Sequence, residues 1–229
     1  TFFGYMMAHP GKKLLFMGQD FGQFIEWDEK KQLDWMLLGY DKHRELQSYV
    51  KALNHFYRDT PALWQVDYSW EGFQWIVPDD SKQSVIAFLR RDAAGKMVLV
   101  VCNFNPVLRK DYEMGVPNPG SYKEILNSDA KEYGGSGVTN GTVKSVKGPM
   151  HGFNQHIAVT LPPLSTLYFS VPSARKPRAE KPKAEAKEAA KPAAKRAAKP
   201  AKAVAPAAQA QTDAAPKRRG RPPKAKATV

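Results

Sequence analysis

Between Gly18 and Trp35 the sequence gathers side chains that can recognise a ligand. Gln19 and Gln23 offer amides, Asp20 a carboxylate, and Trp27 and Trp35 flat apolar rings. An apolar run, Leu14–Met17, leads into this stretch and stops at Gly18, where the missing side chain permits a close approach of the backbone. Each of these residues also has a plainer reading. Asp20 could tie loop amides together, and the tryptophans could fill a core.

Other groupings carry less chemistry. Gly134-Gly135-Ser136-Gly137 lacks the Lys-Ser/Thr of a phosphate loop and reads as a turn. His9, His43, His55, His151 and His156 show no metal-ligand spacing beside a cysteine or carboxylate pair. His9, before Pro10, reads as structural, and Asp79-Asp80 as a hairpin tip. Cys102 lies in MVLVVCNF, the setting of a small buried hydrophobe. A single cysteine excludes an internal disulfide framework and suits a reducing compartment. No metal or organic cofactor is implied, and no run reaches the roughly 18 apolar residues of a membrane span.

Three regions must hold these residues. In residues 1–64, TFFGYMMAHPG reads as an apolar helix stopped at Pro10-Gly11. Leu14–Met17 follows as a strand apolar on both faces, as in a covered parallel sheet. A loop runs to about Gly39. Asp41, a candidate N-cap, then opens a helix with Leu46, Tyr49, Val50, Leu53, Phe56 and Tyr57 on one face, ended by Thr60-Pro61. Residues 65–172 change period: GFQWIV, SVIAFLRR, KMVLVVCNF, SYKEIL, HIAVTL and STLYFSV read as short strands of an antiparallel sandwich, with DAAG as a hairpin turn. Residues 173–229 hold no aromatic residue and mix Lys, Ala and Pro, a composition expected to be disordered.

Charge separates along the same lines. Residues 1–172 carry 18 Lys+Arg and 18 Asp+Glu, whereas residues 173–229 carry 17 against 4, which accounts for the whole +13. The basicity belongs to the tail, and the folded part has no claim on polyanions.

The run YMMAHPGKKLLFMGQDFGQFIEWD, followed by LDWMLL, resembles the last strand of the catalytic barrel of glycogen (1,4-α-glucan) branching enzymes in the α-amylase superfamily. The likeness continues through HRELQSYVKALNHFYRDTPAL, VIAFLRRDAAGKMVLVVCNFNP and YGGSG to LPPLSTLYF, covering about residues 3–172. It implies an α/β plus all-β chain: the end of a (β/α)8 barrel over 1–64, an antiparallel β-sandwich over 65–172, then the tail. Leu14–Met17 would be strand eight, and Gln19, Asp20, Gln23 and Trp27 would project from the rim where residues after a strand line the active face.

The resemblance further implies a cytoplasmic enzyme acting on α-glucan (glycogen) chains. It would cleave an α-1,4 bond by a retaining double displacement and pass the chain to a 6-hydroxyl as an α-1,6 branch. In the family the catalytic carboxylates follow strands four, five and seven, which would precede Thr1. No catalytic residue is therefore assigned here, and the chain alone is expected to be inactive. The family pattern M-G-x-E-F-G-Q usually has glutamate where this chain has Asp20, one methylene shorter. Asp20 could still hydrogen-bond a sugar hydroxyl or orient a catalytic group, and Trp27 and Trp35 could stack on pyranose faces. A hydrolase or debranching enzyme of the same superfamily is the second alternative.

In the tail, Arg219-Gly220-Arg221-Pro222 resembles the AT-hook core, and the preceding Lys/Ala/Pro run resembles linker-histone tails. Glycine would let the backbone lie in a narrow minor groove while the arginines follow its negative potential. A·T-rich DNA is the partner this implies, and a DNA-associated protein acting through this tail is the first alternative. The sequence does not fix an oligomeric state.

Overall fold

Strands β2 (Val85–Arg91), β3 (Met97–Asn103) and β9 (Ser165–Ser170) are apolar at nearly every position because their sheet is covered on both faces. A computed structural model describes residues 1–173; the tail after Ser173, with the Arg219–Pro222 core, lies outside the described residues.

The other strands are β1 (Phe73–Asp80), β4 (Arg109–Val116), β5 (Ser121–Asn127), β6 (Thr142–Lys144), β7 (Val146–Met150) and β8 (Phe153–Leu161). They form a six-stranded sheet in the order β1-β2-β3-β9-β5-β6 and a three-stranded sheet in the order β4-β8-β7. Every pairing is antiparallel. The two sheets meet face to face, with Ala87, Leu89, Leu99, Val101, Leu167 and Phe169 of the larger against Met114, Val116, Ile157 and Val159 of the smaller.

Alternate residues of the same strands point the other way. Phe88, Val98, Val100, Cys102 and Tyr168 pack beneath helices α1 (Phe2–Ala8) and α2 (Asp41–Asp59). Helix α2 presents Tyr49, Val50 and Leu53 inward, the stripe its spacing predicts. Its N-cap is Tyr40 rather than Asp41; Asp41 is instead the first helical residue, paired with Arg44 one turn on. The DAAG turn forms as expected: the Asp92 carboxylate accepts from the amides of Ala94 (3.0 Å) and Lys96 (2.8 Å). Asp80, at the β1–β2 turn, accepts from Gln83 and from the Tyr112 hydroxyl. Asp129 likewise organises the Gly134–Gly137 turn by accepting from Ser136 and Val138.

One expectation is corrected. Leu14–Met17 forms no strand, since none of the described strands pairs with it and Met17 already turns at φ +36°. Leu15 packs on the helical cluster, whereas Leu14 is 70% exposed and Phe16 is also exposed. The alternation of a strand is present without the neighbours that would hydrogen-bond it.

Candidate functional site

Gly18 opens the candidate loop in the left-handed region, at φ +80°, and a Cβ there would lie 2.9 Å from both Cβ and Oε1 of Gln23. Its carbonyl accepts from the Gln23 amide (3.0 Å), closing a tight turn around the 3-10 segment Gln19–Phe21. Phe21 is fully buried and anchors this turn against α2. The Phe21 carbonyl lies 2.7 Å from His43 Nδ1, so the first turn of α2 grips the loop through backbone as well as ring.

The polar candidates divide by what holds them. Gln19 is exposed, and its Oε1 accepts from the Phe16 amide (3.1 Å). Asp20, half-buried, accepts from Gln47 of α2 at 3.5 Å, a long contact, and its other oxygen has no hydrogen-bond partner among the described residues. Gln23 is a strut. Its Oε1 accepts from the Asp34 amide (2.8 Å) and its Nε2 donates to the Ile25 carbonyl (3.0 Å), so both ends of the amide are occupied within the loop.

Neither tryptophan is in the core. Trp27 is 70% exposed and meets Phe16 edge-on, with ring centroids 5.9 Å apart. Trp35 is 52% exposed and lies over Phe21 at 5.3 Å with an interplanar angle of 30°. Phe24, Met36 and Tyr40 are exposed beside them, and Phe24 packs edge-on to His43 at 5.1 Å. The arrangement presents flat rings with hydrogen-bonding side chains among them, suited to a ligand with apolar faces and polar edges. Among the described residues no cluster of His, Cys, Asp and Glu could hold a metal ion.

Sequence reasoning missed the groups that carry the loop. His43 and Phe21 are ordinary residue types whose contact spans 22 positions. Arg90 is the larger omission. It is fully buried in β2 and donates to the carbonyls of Gly72 (3.2 Å) and Ala8 and to the Asp67 carboxylate. Asp67 accepts in turn from the Gly11 amide (3.3 Å). These two residues fasten the segment that enters the loop to the six-stranded sheet. The tandem Arg90-Arg91, closing an apolar strand, was the available signal, and it reads more simply as a solvated end.

Comparison with known proteins now adds a family. Residues 75–172 match the family described as alpha amylase, C-terminal all-beta domain. The chain is 51% identical over 171 residues to the 1,4-alpha-glucan branching enzyme of Halothermothrix orenii and 56% identical over 169 residues to that of Aquifex aeolicus. By sequence, the chain is similar to bacterial 1,4-alpha-glucan branching enzymes. The matches cover 74% and 73% of this chain and 27% of each relative, so it spans about a quarter of their length. A pullulanase from Group B Streptococcus overlaps the fold at TM-score 0.47 and 15% identity, over 74% of this chain and 27% of that one. The branching-enzyme relationship includes residues outside the all-beta match, because 169 aligned residues cannot fit within 75–172.

Proposed function

We propose that the chain is the C-terminal part of a glycogen branching enzyme, comprising the end of its (β/α)8 barrel (1–64), a β-sandwich (65–172) and a basic tail (173–229). The observation that carries this reading is the segment Leu14–Met17. It has the inward–outward alternation of a strand, keeps Leu14 and Phe16 uncovered, and runs directly into a loop pinned by Phe21. A strand awaiting parallel neighbours would look like this.

On this reading the loop after strand eight borders the glucan site. Trp27 and Trp35 stack on pyranose rings, Gln19 and Asp20 hydrogen-bond sugar hydroxyls, and Gln23 holds the loop that carries them. The nucleophile and acid/base carboxylates lie on other barrel strands outside this chain. The protein would act in the cytoplasm on α-glucan, making α-1,6 branches by a retaining double displacement.

The test is linkage analysis of amylose treated with the full-length enzyme and with this chain alone. New α-1,6 linkages from the former and none from the latter support the proposal. Free reducing ends without branches would instead indicate a hydrolase or debranching enzyme. For the Arg219-Gly220-Arg221-Pro222 segment, A·T-rich DNA is a proposed partner on sequence alone. Filter binding across a salt series tests it, and a flat salt response removes it.

A further inference from the structure

Away from the loop, the end of α2, the turn after α1 and residues 64–68 line an open pocket of about 440 Å3. Its lining includes Lys12, Lys13, Tyr57, Trp64, Asp67 and Tyr68. We infer that this pocket binds a phosphorylated sugar, with the ring against Trp64 and Tyr68 and the phosphate on Lys12 and Lys13.

Charge supports an anion here. The Asp67 carboxylate is already consumed by Arg90 and the Gly11 amide. Lys13 makes no ion pair among the described residues; its ammonium donates to the His9 carbonyl and sits 5.4 Å from the centroid of the Tyr57 ring. Two lysines therefore line the pocket with no ion-pair partner among the described residues, and the Arg90–Asp67 pair behind them is neutral as a pair. Burial, partly offset by Asp67 and reinforced by Arg90, lowers the Lys13 ammonium to about 8. A phosphate monoester would supply the missing countercharge through charge-assisted hydrogen bonds.

The walls supply the rest. Tyr68 is 83% exposed, so its ring is free to meet a ligand. Trp64 is held in place because its indole nitrogen donates to the Arg58 carbonyl (3.2 Å). A pyranose offers the flat C–H face that such rings accept, and inorganic phosphate offers none.

Isothermal titration of the full chain with glucose 6-phosphate, inorganic phosphate and maltotriose tests the inference, alongside Lys13→Met and Tyr68→Ala. Lys13→Met keeps the aliphatic stem and removes a half-buried charge, and Tyr68→Ala removes an exposed ring, so both variants should fold. The expected result is that glucose 6-phosphate binds more tightly than phosphate or maltotriose. Lys13→Met should weaken it by about tenfold, the factor for one charge-assisted hydrogen bond of about 1.4 kcal/mol, and Tyr68→Ala should weaken it measurably. Binding that Lys13→Met leaves unchanged belongs to the basic residues after Ser173 and overturns the inference. Equal affinity for phosphate, or for maltotriose, overturns it as well, as does a lack of binding.

Discussion

Arg90 and Asp67 form a buried ion pair in which the guanidinium is wholly enclosed and the carboxylate nearly so. Its other hydrogen bonds are to the backbone: Gly72 and Ala8 accept from Arg90, and Gly11 donates to Asp67. The pair thus joins β2, the end of α1 and the turn leading to the candidate loop. Removing either partner leaves the other without its countercharge at a largely buried position. Arg90→Met or Asp67→Asn should destabilise the fold by about 3–5 kcal/mol in urea denaturation. The double variant Arg90→Met/Asp67→Leu should recover part of that loss, and a double as unstable as the sum of the singles would contradict this account.

Gln23 serves the loop more than the fold. Gln23→Ala takes the acceptor from the Asp34 amide and the donor from the Ile25 carbonyl. Exchange of the Asp34 amide should accelerate roughly fivefold, the factor for a hydrogen bond worth about 1 kcal/mol. Amides in β2 and β3 should be unaffected. Unchanged exchange at Asp34 would remove Gln23 from its role as a strut.

Gly18 and Gly95 separate backbone strain from crowding. Both sit at φ +80°, but a Cβ at Gly95 meets nothing within 4 Å, whereas one at Gly18 strikes Gln23. Gly95→Ala should lose about 1–2 kcal/mol, the left-handed penalty alone. Gly18→Ala should lose more, because the Gln23 strut must also shift. Urea midpoints for the two variants give the comparison directly.

Cys102 makes the fold sensitive to alkali. Burial, opposed in part by the Thr166 hydroxyl, pushes its thiol from the ordinary 9.0 up to about 12. Above pH 9 the unfolded chain releases this proton while the folded chain keeps it, so the contribution of Cys102 to stability falls as pH rises from about 9 to 12. Buried Tyr122, pushed up to about 12, joins from pH 10. Cys102→Ala should therefore show a shallower decline between pH 9 and 10 in urea midpoints. Native protein should leave a thiol reagent unreacted until denatured.

The sequence carried more of the fold than of the loop's supports. Helix α2 was legible residue by residue, because one face is apolar at helical spacing and Thr60-Pro61 closes it. Strands β2, β3 and β9 were legible as apolar runs between turn residues, though not the reason both their faces are buried. Strand β7, with Gly148-Pro149 in five residues, reads as a turn, and β4 was missed beside the Asn105-Pro106 loop. Leu14–Met17 has strand composition without described partners, and composition cannot report partners. In the loop, Gln19, Asp20, Trp27 and Trp35 stood out by type. Phe21, His43 and the Arg90–Asp67 pair did not, because their importance lies in contacts between residues far apart in sequence.

The two-sided cover of the six-stranded sheet bears on how this module could be inherited. A transplant beginning at Trp75, the first residue of the all-beta match, would carry Phe88, Val98, Val100, Cys102 and Tyr168 into a new host as a bare greasy wall. Such an excised piece should clump when expressed by itself. Recombination between relatives would succeed only where the breakpoint lies upstream of α1, so that helices and sheet travel as one heritable block.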